Sequence, residues 1–298
     1  MCVLRYENDL GMPEPMFKAL THDDYDCPPG HVSISALMSP PRARILRREH
    51  DDEIVVKASS MMRMFLGKAV HAAIEKHDAV GHISETRLSM EVGGWTISGK
   101  FDNYDAAAGS LVDYKTTSVW SFMLGDKPEW EAQLGCYALL LRDAGFEVKA
   151  AFIWAMLLDW KAGDLKRLKD YPPNNIVGVP VPVWTSEYAL SVIEDRVRVH
   201  QEAEAAYAGK GQAGLPLCTP EERWERPTKY AVQKPGAAKA WKLFVVEDEA
   251  QALCATKKPG EYEVVKRLGE SIKCERGYCY AAPFCDQFKA MPKSGEDE

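Results

Sequence analysis

Asp113 and Lys115 lie two residues apart in the run Leu111 to Thr116, and the period of a β-strand puts both side chains on one face. Leu111 begins the same set, while Val112, Tyr114 and Thr116 face the other way. Asp102 lies near the end of the preceding run, Trp95 to Tyr104. The small residues Ala106 to Ser110 between the two runs read as the turn of a β-hairpin. Such a hairpin brings two carboxylates and an ammonium to one spot. Oxygen ligands of that kind suit Mg²⁺ or Mn²⁺, and a neighbouring lysine can orient or deprotonate a water. An Asp-x-Lys at a strand edge is equally the pattern of an ordinary solvated ion pair, which is worth little. The elements around it have to decide between the two.

Residues 1 to 30 are polar and hold Pro13, Pro15, Pro28, Pro29 and Gly30, which reads as an irregular lead-in. Ser33 to Leu46 is expected to form two short helical pieces meeting at Pro40 and Pro41. From Lys57 to Val80, apolar residues recur at three and four, as in a helix, which carries Gly67 and His71. Ile83 to Val92, Trp95 to Tyr104 and Leu111 to Thr116 form an expected antiparallel three-stranded meander. Pro128 to Ala144 is again helical, with Gln133 and Tyr137 one turn apart on one face. The apolar run Ala150 to Leu158 reads as a buried strand, parallel to Leu111 to Thr116 through a βαβ crossover. A possible short strand at Ile176 to Val183 and a helix from Ser186 to Tyr207 follow. Gly209 to Pro220 is a linker, Tyr230 to Gln233 and Trp241 to Val246 are strand-like, and Glu247 to Thr256 is a short helix. The fold class is therefore α/β, a mixed central sheet flanked by helices. The expected division is a lead-in over 1–56, a core over 57–207 and a cysteine-containing extension over 208–298, disordered after about Met291.

The 298 residues suffice for one large domain or two modest ones, and 46% hydrophobic with 27% charged residues is ordinary for a globular protein. The net charge of -7 argues against a protein that coats nucleic acid indiscriminately, but not against an enzyme with one basic groove. Neither a membrane-spanning apolar run nor a secretory signal is evident, so a cytoplasmic protein is expected.

Taken together, Gly67-x-x-x-His71, Gly99-x-x-Asp102, Asp113-x-Lys115 and Gln133-x-x-x-Tyr137 resemble the motif set of the PD-(D/E)XK nuclease superfamily. Within it they are similar to the RecB-type branch of CRISPR-associated and phage recombination exonucleases. The motifs occur in the family's order; Phe101 stands where many members have proline, which the RecB-type branch often drops. The resemblance implies a restriction-endonuclease-like core in which Asp102, Asp113 and the backbone carbonyl of Tyr114 ligate the metal, with His71 as a further ligand. Lys115 would position the attacking water and stabilise charge. Gln133 and Tyr137 would orient their helix against the site or the DNA backbone, and Glu85 is a candidate behind the ligands. The expected activity is a Mg²⁺- or Mn²⁺-dependent DNA exonuclease of recombination, repair or phage DNA processing. An endonuclease of restriction or junction-resolving type, or a non-catalytic iron–sulfur nucleic-acid-binding subunit, are the alternatives. The chain has no P-loop, so an unwinding helicase or recombination partner would be separate; self-association is possible.

Eight cysteines are present, and Cys274, Cys279 and Cys285 lie close together near the end. Thiolates at such spacing suit iron–sulfur or zinc. The resemblance implies a [4Fe–4S] cluster whose last three ligands are these, stapling the C-terminal segment to the core. The fourth ligand lies upstream of the core in much of the branch, which would point to Cys27; because Cys27 is followed by Pro-Pro-Gly, Cys218 in the linker is the expected ligand here, with Cys27 as the alternative.

Overall fold

The computed structural model describes residues 4–22, 30–77, 79–125 and 127–292. In chain order the elements are β1 (Arg5–Glu7), α1 (Glu14–Thr21), β2 (His31–Ser33), α2 (Ile34–Met38), α3 (Pro41–Glu49), β3 (Val55–Lys57), α4 (Met62–Glu75), β4 (His82–Val92), β5 (Trp95–Asp105) and β6 (Ser110–Thr117). They continue with α5 (Val119–Met123), α6 (Pro128–Asp143), β7 (Ala150–Leu157), β8 (Ile176–Val181), α7 (Ser186–Lys210), β9 (Lys229–Gln233), β10 (Lys242–Phe244), α8 (Glu247–Ala255), β11 (Glu263–Arg267), α9 (Ile272–Glu275) and α10 (Asp286–Lys289). They divide into two compact units, one of Met1–Ser39 with Val55–Glu204, the other of Pro40–Ile54 with Ala205–Glu298. No helix among the described residues is long and apolar enough to cross a membrane.

The first unit is built on a mixed six-stranded sheet. β4, β5 and β6 are antiparallel neighbours, β6 and β7 are parallel through the α6 crossover, and β8 returns antiparallel to β7. Alternation of small and bulky apolar residues on these strands fills the core: Ile97, Phe101, Leu111 and Ile153 pack with Leu134 and Leu141 of α6 and with Ile34 and Leu37 of α2. Ser33 caps α2 by accepting from the Ala36 N–H, and the α2 carbonyl of Leu37 accepts from Arg196 of α7.

β5 has an uneven neighbourhood. β4 pairs with it from Trp95 to Asp105 on one edge. Its other edge is shared, by β2 through Thr96–Ser98 and by β6 through Asn103–Asp105. Between these, Gly99 to Asp102 pairs with neither, and the sheet forks there. Crevices between diverging strands expose polar groups without exposing the core, which is why ligands favour them in open α/β sheets.

Several expectations for the first unit change. The lead-in is not irregular throughout: Glu14–Thr21 is a helix, and the prolines read as breakers sit at its N-cap (Pro13) and in its first turn (Pro15), where a missing N–H costs nothing. The helix expected from Lys57 begins only at Met62, after a strand and a 3₁₀ turn, and stops at Glu75. Its apolar stripe buries no residue fully; Met62 and Met64 are exposed.

In the second unit, β10, β9 and β11 form a three-stranded antiparallel sheet with α8 against it. The strand β11 was not legible as such, and the linker expected from Gly209 is partly helical, α7 running to Lys210 and a 3₁₀ turn to Gly214. The expected disordered tail falls on residues 293–298, outside the described residues.

Candidate functional site

The fork in the sheet is where the charged residues gather. In the β4–β5 register, Ser84 faces Asn103 and Thr86 faces Phe101, so Glu85 stands opposite Asp102. The β5–β6 ladder ends at Asn103 and Val112, one step short of Asp102 and Asp113. Three carboxylates thus lie in one row across three strands. Like charges opposite one another destabilise a sheet, and the backbone is irregular at this row. Glu85 has φ 46°, the left-handed region that a non-glycine residue rarely enters. Asp102 Oδ2 accepts from the Tyr114 N–H at 2.7 Å, a side chain doing what a ladder carbonyl would otherwise do.

His71 of α4 completes the group. Its Nδ1 lies 3.3 Å from Glu85 Oε1 and 3.6 Å from Asp102 Oδ1, and its Nε2 lies 3.1 Å from the Tyr114 carbonyl oxygen. Ligand atoms of His71, Glu85 and Asp102 all fall within 4.8 Å of one another. Both imidazole nitrogens therefore face acceptors, and the ring is held protonated: the Glu85 hydrogen bond, opposed by burial and helped by the Asp102 charge, raises its pKa to about 9. Burial first, and then the Asp113 charge, push Asp102 up to about 7. Burial pushes Glu85 up as well, but His71 and Lys100, whose Nζ is 2.8 Å from Glu85 Oε2, outweigh it and hold the group below its usual value.

Asp113 is 1% exposed. Its Oδ1 accepts from Lys115 Nζ at 3.1 Å; its Oδ2 lies 2.8 Å from the same ammonium but at an angle that makes no hydrogen bond, so this buried oxygen has no donor. Burial raises the Asp113 carboxyl and the Lys115 charge pulls it back only in part. Lys115 also donates to Gln133 Oε1 at 3.0 Å, and Gln133 Nε2 donates to the Tyr137 hydroxyl at 2.9 Å. Gln133 and Tyr137 thus steady the lysine from α6. Gly99 makes room for that arrangement. A Cβ there would stand 2.6 Å from Tyr137 Cε1 and 2.9 Å from Ile34 Cδ1. Gly99→Ala is expected to displace Tyr137, to cost about 1 to 3 kcal/mol by overpacking and to slow catalysis through Gln133; urea unfolding checks the first, and wild-type stability would remove the claim.

These donors fit a divalent cation. Carboxylates, a carbonyl and one imidazole form an oxygen-rich set of hard ligands. The carboxylates repel one another, one buried oxygen lacks a donor, and the imidazole must shed a proton to become a ligand. A bound cation would offset the repulsion among these carboxylates. The metal-free protein should therefore lose stability as pH rises. His71, with its raised pKa, stabilises the fold fully below its unfolded value of 6.5, and this is lost as pH climbs through about 9. Asp102, also raised, is neutral in both states at low pH and destabilises the fold increasingly as pH passes from 3.8 to about 7. The two act in the same sense, together on the order of 2 kcal/mol between pH 6 and 9 once partial exposure is allowed for. Unfolding in EDTA at several pH values measures it; a flat profile would contradict this account.

The sequence-derived site residues are thus distributed as follows. His71, Asp102, the Tyr114 carbonyl and Glu85 are together, Asp113 and Lys115 adjoin them, and Gln133 and Tyr137 stand behind Lys115. Glu85 was expected only behind the ligands but contributes an oxygen to the tightest group. Neither its left-handed backbone nor the fork has a sequence signature; the alternation of β4 would have placed it on the right face.

In the second unit, Cys218, Cys274, Cys279 and Cys285 line one cavity together with Arg42. None is in a disulfide. Burial, and then Glu222 and the other three thiols, push Cys218 up to about 12; burial and two of its neighbours push Cys274 up to about 11. No three of these sulfurs lie within 4.8 Å of one another. Arg42 is 3% exposed and donates to the carbonyls of Gln212, Leu215 and Pro216, with Nη1 4.0 Å from Cys285 Sγ. Among the described residues no carboxylate pairs with it. Cys27 lies outside the described residues.

The sequence model of the PD-(D/E)XK nuclease superfamily matches residues 39–286 of this chain. Among solved structures, the crystal structure of SSO0001 is similar at 16% identity and a TM-score of 0.45, over 62% of this chain and 85% of that one. A protein of Eubacterium rectale called "Putative exonuclease" is similar at 16% identity and a TM-score of 0.31, over 58% of this chain and 69% of that one. None of the curated proteins matches the sequence.

Proposed function

The chain belongs to the PD-(D/E)XK nuclease superfamily, and from that premise we infer that it is a Mg²⁺- or Mn²⁺-dependent deoxyribonuclease working from DNA ends. The observation that carries the reading is the row Glu85, Asp102 and Asp113 across the sheet fork, closed on one side by His71 and on the other by Lys115. His71, Asp102, Asp113 and the Tyr114 carbonyl would hold the cation, with Glu85 either joining them or orienting His71. When bound, it supplies Lewis-acid stabilisation of phosphoryl charge and a lower pKa for water. The protein's own groups do the rest. Lys115, aimed by Gln133 and Asp113, holds a positive charge and hydrogen-bond donors where the attacking water and the scissile phosphate meet. Tyr137 fixes Gln133 by accepting from its Nε2, and burial keeps the phenol protonated. No covalent enzyme intermediate is required.

The exonuclease reading rests on the motif set, which resembles that of the RecB-type branch. Incubation of linear and covalently closed circular DNA with Mg²⁺ or Mn²⁺ tests it: only the linear form should disappear, and loss of the circle would instead make the protein an endonuclease. A separate helicase or recombination protein is the expected partner.

For the four cysteines we favour a [4Fe–4S] cluster of structural role. The buried Arg42, without a carboxylate, suits an anionic cluster beside it. Metal analysis and the visible absorbance of anaerobically purified protein separate iron–sulfur from zinc, and a colourless protein with neither metal would remove this reading.

A further inference from the structure

Within the segment between Cys218 and Cys274 lies a stretch with a local surplus of positive charge. From Arg226 to Arg267 nine lysines and arginines face five carboxylates, in a protein whose net charge is -7. Large apolar side chains are exposed in this stretch, as they are at other places on the chain: Trp241 is 51% exposed, and Leu243, Val245 and Val246 are exposed beside it. The Trp241 and Tyr262 rings lie 5.1 Å apart at 41°, and Lys257 Nζ sits 4.5 Å from the Trp241 ring centre. Next to them opens a cleft of about 330 Å³, lined by Gln251, Lys257, Lys258, Gly260 and Tyr262. Three of the five carboxylates, Glu247, Asp248 and Glu249, occupy the first turn of α8, whereas the cleft is lined by its last turn.

We propose that this cleft binds single-stranded nucleic acid, with Trp241 and Tyr262 offering ring faces to the bases and Lys257 and Lys258 neutralising the backbone. Every base has a π-face, so an exposed aromatic pair with lysines at its rim binds strands with little regard to sequence. The cation already seated on Trp241 is the arrangement that base–aromatic sites extend. The volume is that of a small-ligand pocket and admits one nucleotide. A protein partner would also cover exposed Trp241, Leu243 and Val245, but it gives no reason for the local surplus of positive charge. The proposal rests on the reading that the protein acts on nucleic acid, and not on which bond it breaks.

Binding of a fluorescent oligo-dT by the full-length protein in EDTA, where no cleavage occurs, tests it. Trp241→Ala should weaken binding roughly 10-fold, Trp241→Phe should restore most of it, and Lys257→Gln/Lys258→Gln should reduce the salt slope by about 1 to 1.5. Wild-type affinity and salt slope in both the Trp241→Ala and the double lysine variant would overturn the proposal, as would a wild-type protein that binds no strand in EDTA. A protein complex that Trp241→Ala abolishes, with oligo-dT binding unchanged, would also overturn it. Cleavage in Mg²⁺ or Mn²⁺ is read separately: its absence counts against the nuclease reading alone.

Discussion

Cleavage by Asp113→Asn is expected to fall about 10³-fold or more, because a metal ligand supplies several kcal/mol of transition-state stabilisation and each 1.4 kcal/mol is a factor of ten. Lys115→Met should be as inactive. The two variants should nevertheless part company in stability. Asp113 is buried with one oxygen lacking a donor and its carboxyl pushed upward, so replacing it by a neutral isostere removes a desolvated charge and leaves the partly exposed Lys115 with Gln133. Removing Lys115 instead takes away the buried carboxylate's hydrogen-bonded counter-charge and leaves it only the His71 charge, a loss of up to about 3 to 5 kcal/mol. In EDTA, Asp113→Asn should melt at or above the wild type and Lys115→Met well below it; added Mg²⁺ or Mn²⁺ should raise the melting temperature of the wild type and of Lys115→Met, whose ligands are intact, and raise that of Asp113→Asn least. Undiminished cleavage by either variant would sink the site assignment, and equal melting temperatures would sink the electrostatic account of it.

Cys218→Ser is expected to strip the second unit of iron, from roughly four atoms per chain to below one, with loss of the visible absorbance. Cluster binding and folding are linked, as for any metal site absent from the unfolded chain. Proteolytic nicks should then appear within Ala205–Glu298. Cys27→Ser is the comparator and should keep its iron. The reverse outcome, iron retained in Cys218→Ser and lost in Cys27→Ser, would transfer the fourth ligand to Cys27. The case for Cys218 is its place in one cavity with Cys274, Cys279 and Cys285. Gln287 fixes it there, accepting from the Cys218 N–H at 2.8 Å and donating to its carbonyl at 2.9 Å.

What could be read from the sequence divides along physical lines. β4, β5, β6 and β7 are long enough to show alternation or an apolar run, and α6 is long enough to show its turn period, so the meander and the parallel crossover were both legible. β2 is three residues long, and its pairing with Thr96–Ser98 is a long-range contact that no local pattern encodes. The fork in the sheet depends on that pairing, and so was not legible either. Gly99 was recognisable as a motif position, but the reason for it, the Tyr137 ring, comes from a helix more than thirty residues away. Glu85 shows the same limit from the other side. Its residue type and strand face were readable, whereas its left-handed backbone, at the gap in the β4–β5 pairing, has no sequence signature.

Arg42 has a consequence for the order in which the chain is made. Its carbonyl partners lie 170 to 174 residues further on and Cys285 lies 243 further on. At a synthesis rate of about 5 to 20 residues per second, α3 waits roughly 10 to 35 s after leaving the ribosome before those carbonyls exist. During that interval Ile45 and Leu46, both fully buried in the finished unit, have nothing of that unit to pack against except the Pro40–Ile54 segment itself. The nascent chain therefore carries a basic, apolar helix as an open adhesive surface for most of its synthesis. A fragment begun at Ala205 would lack the piece that its own core was built to receive.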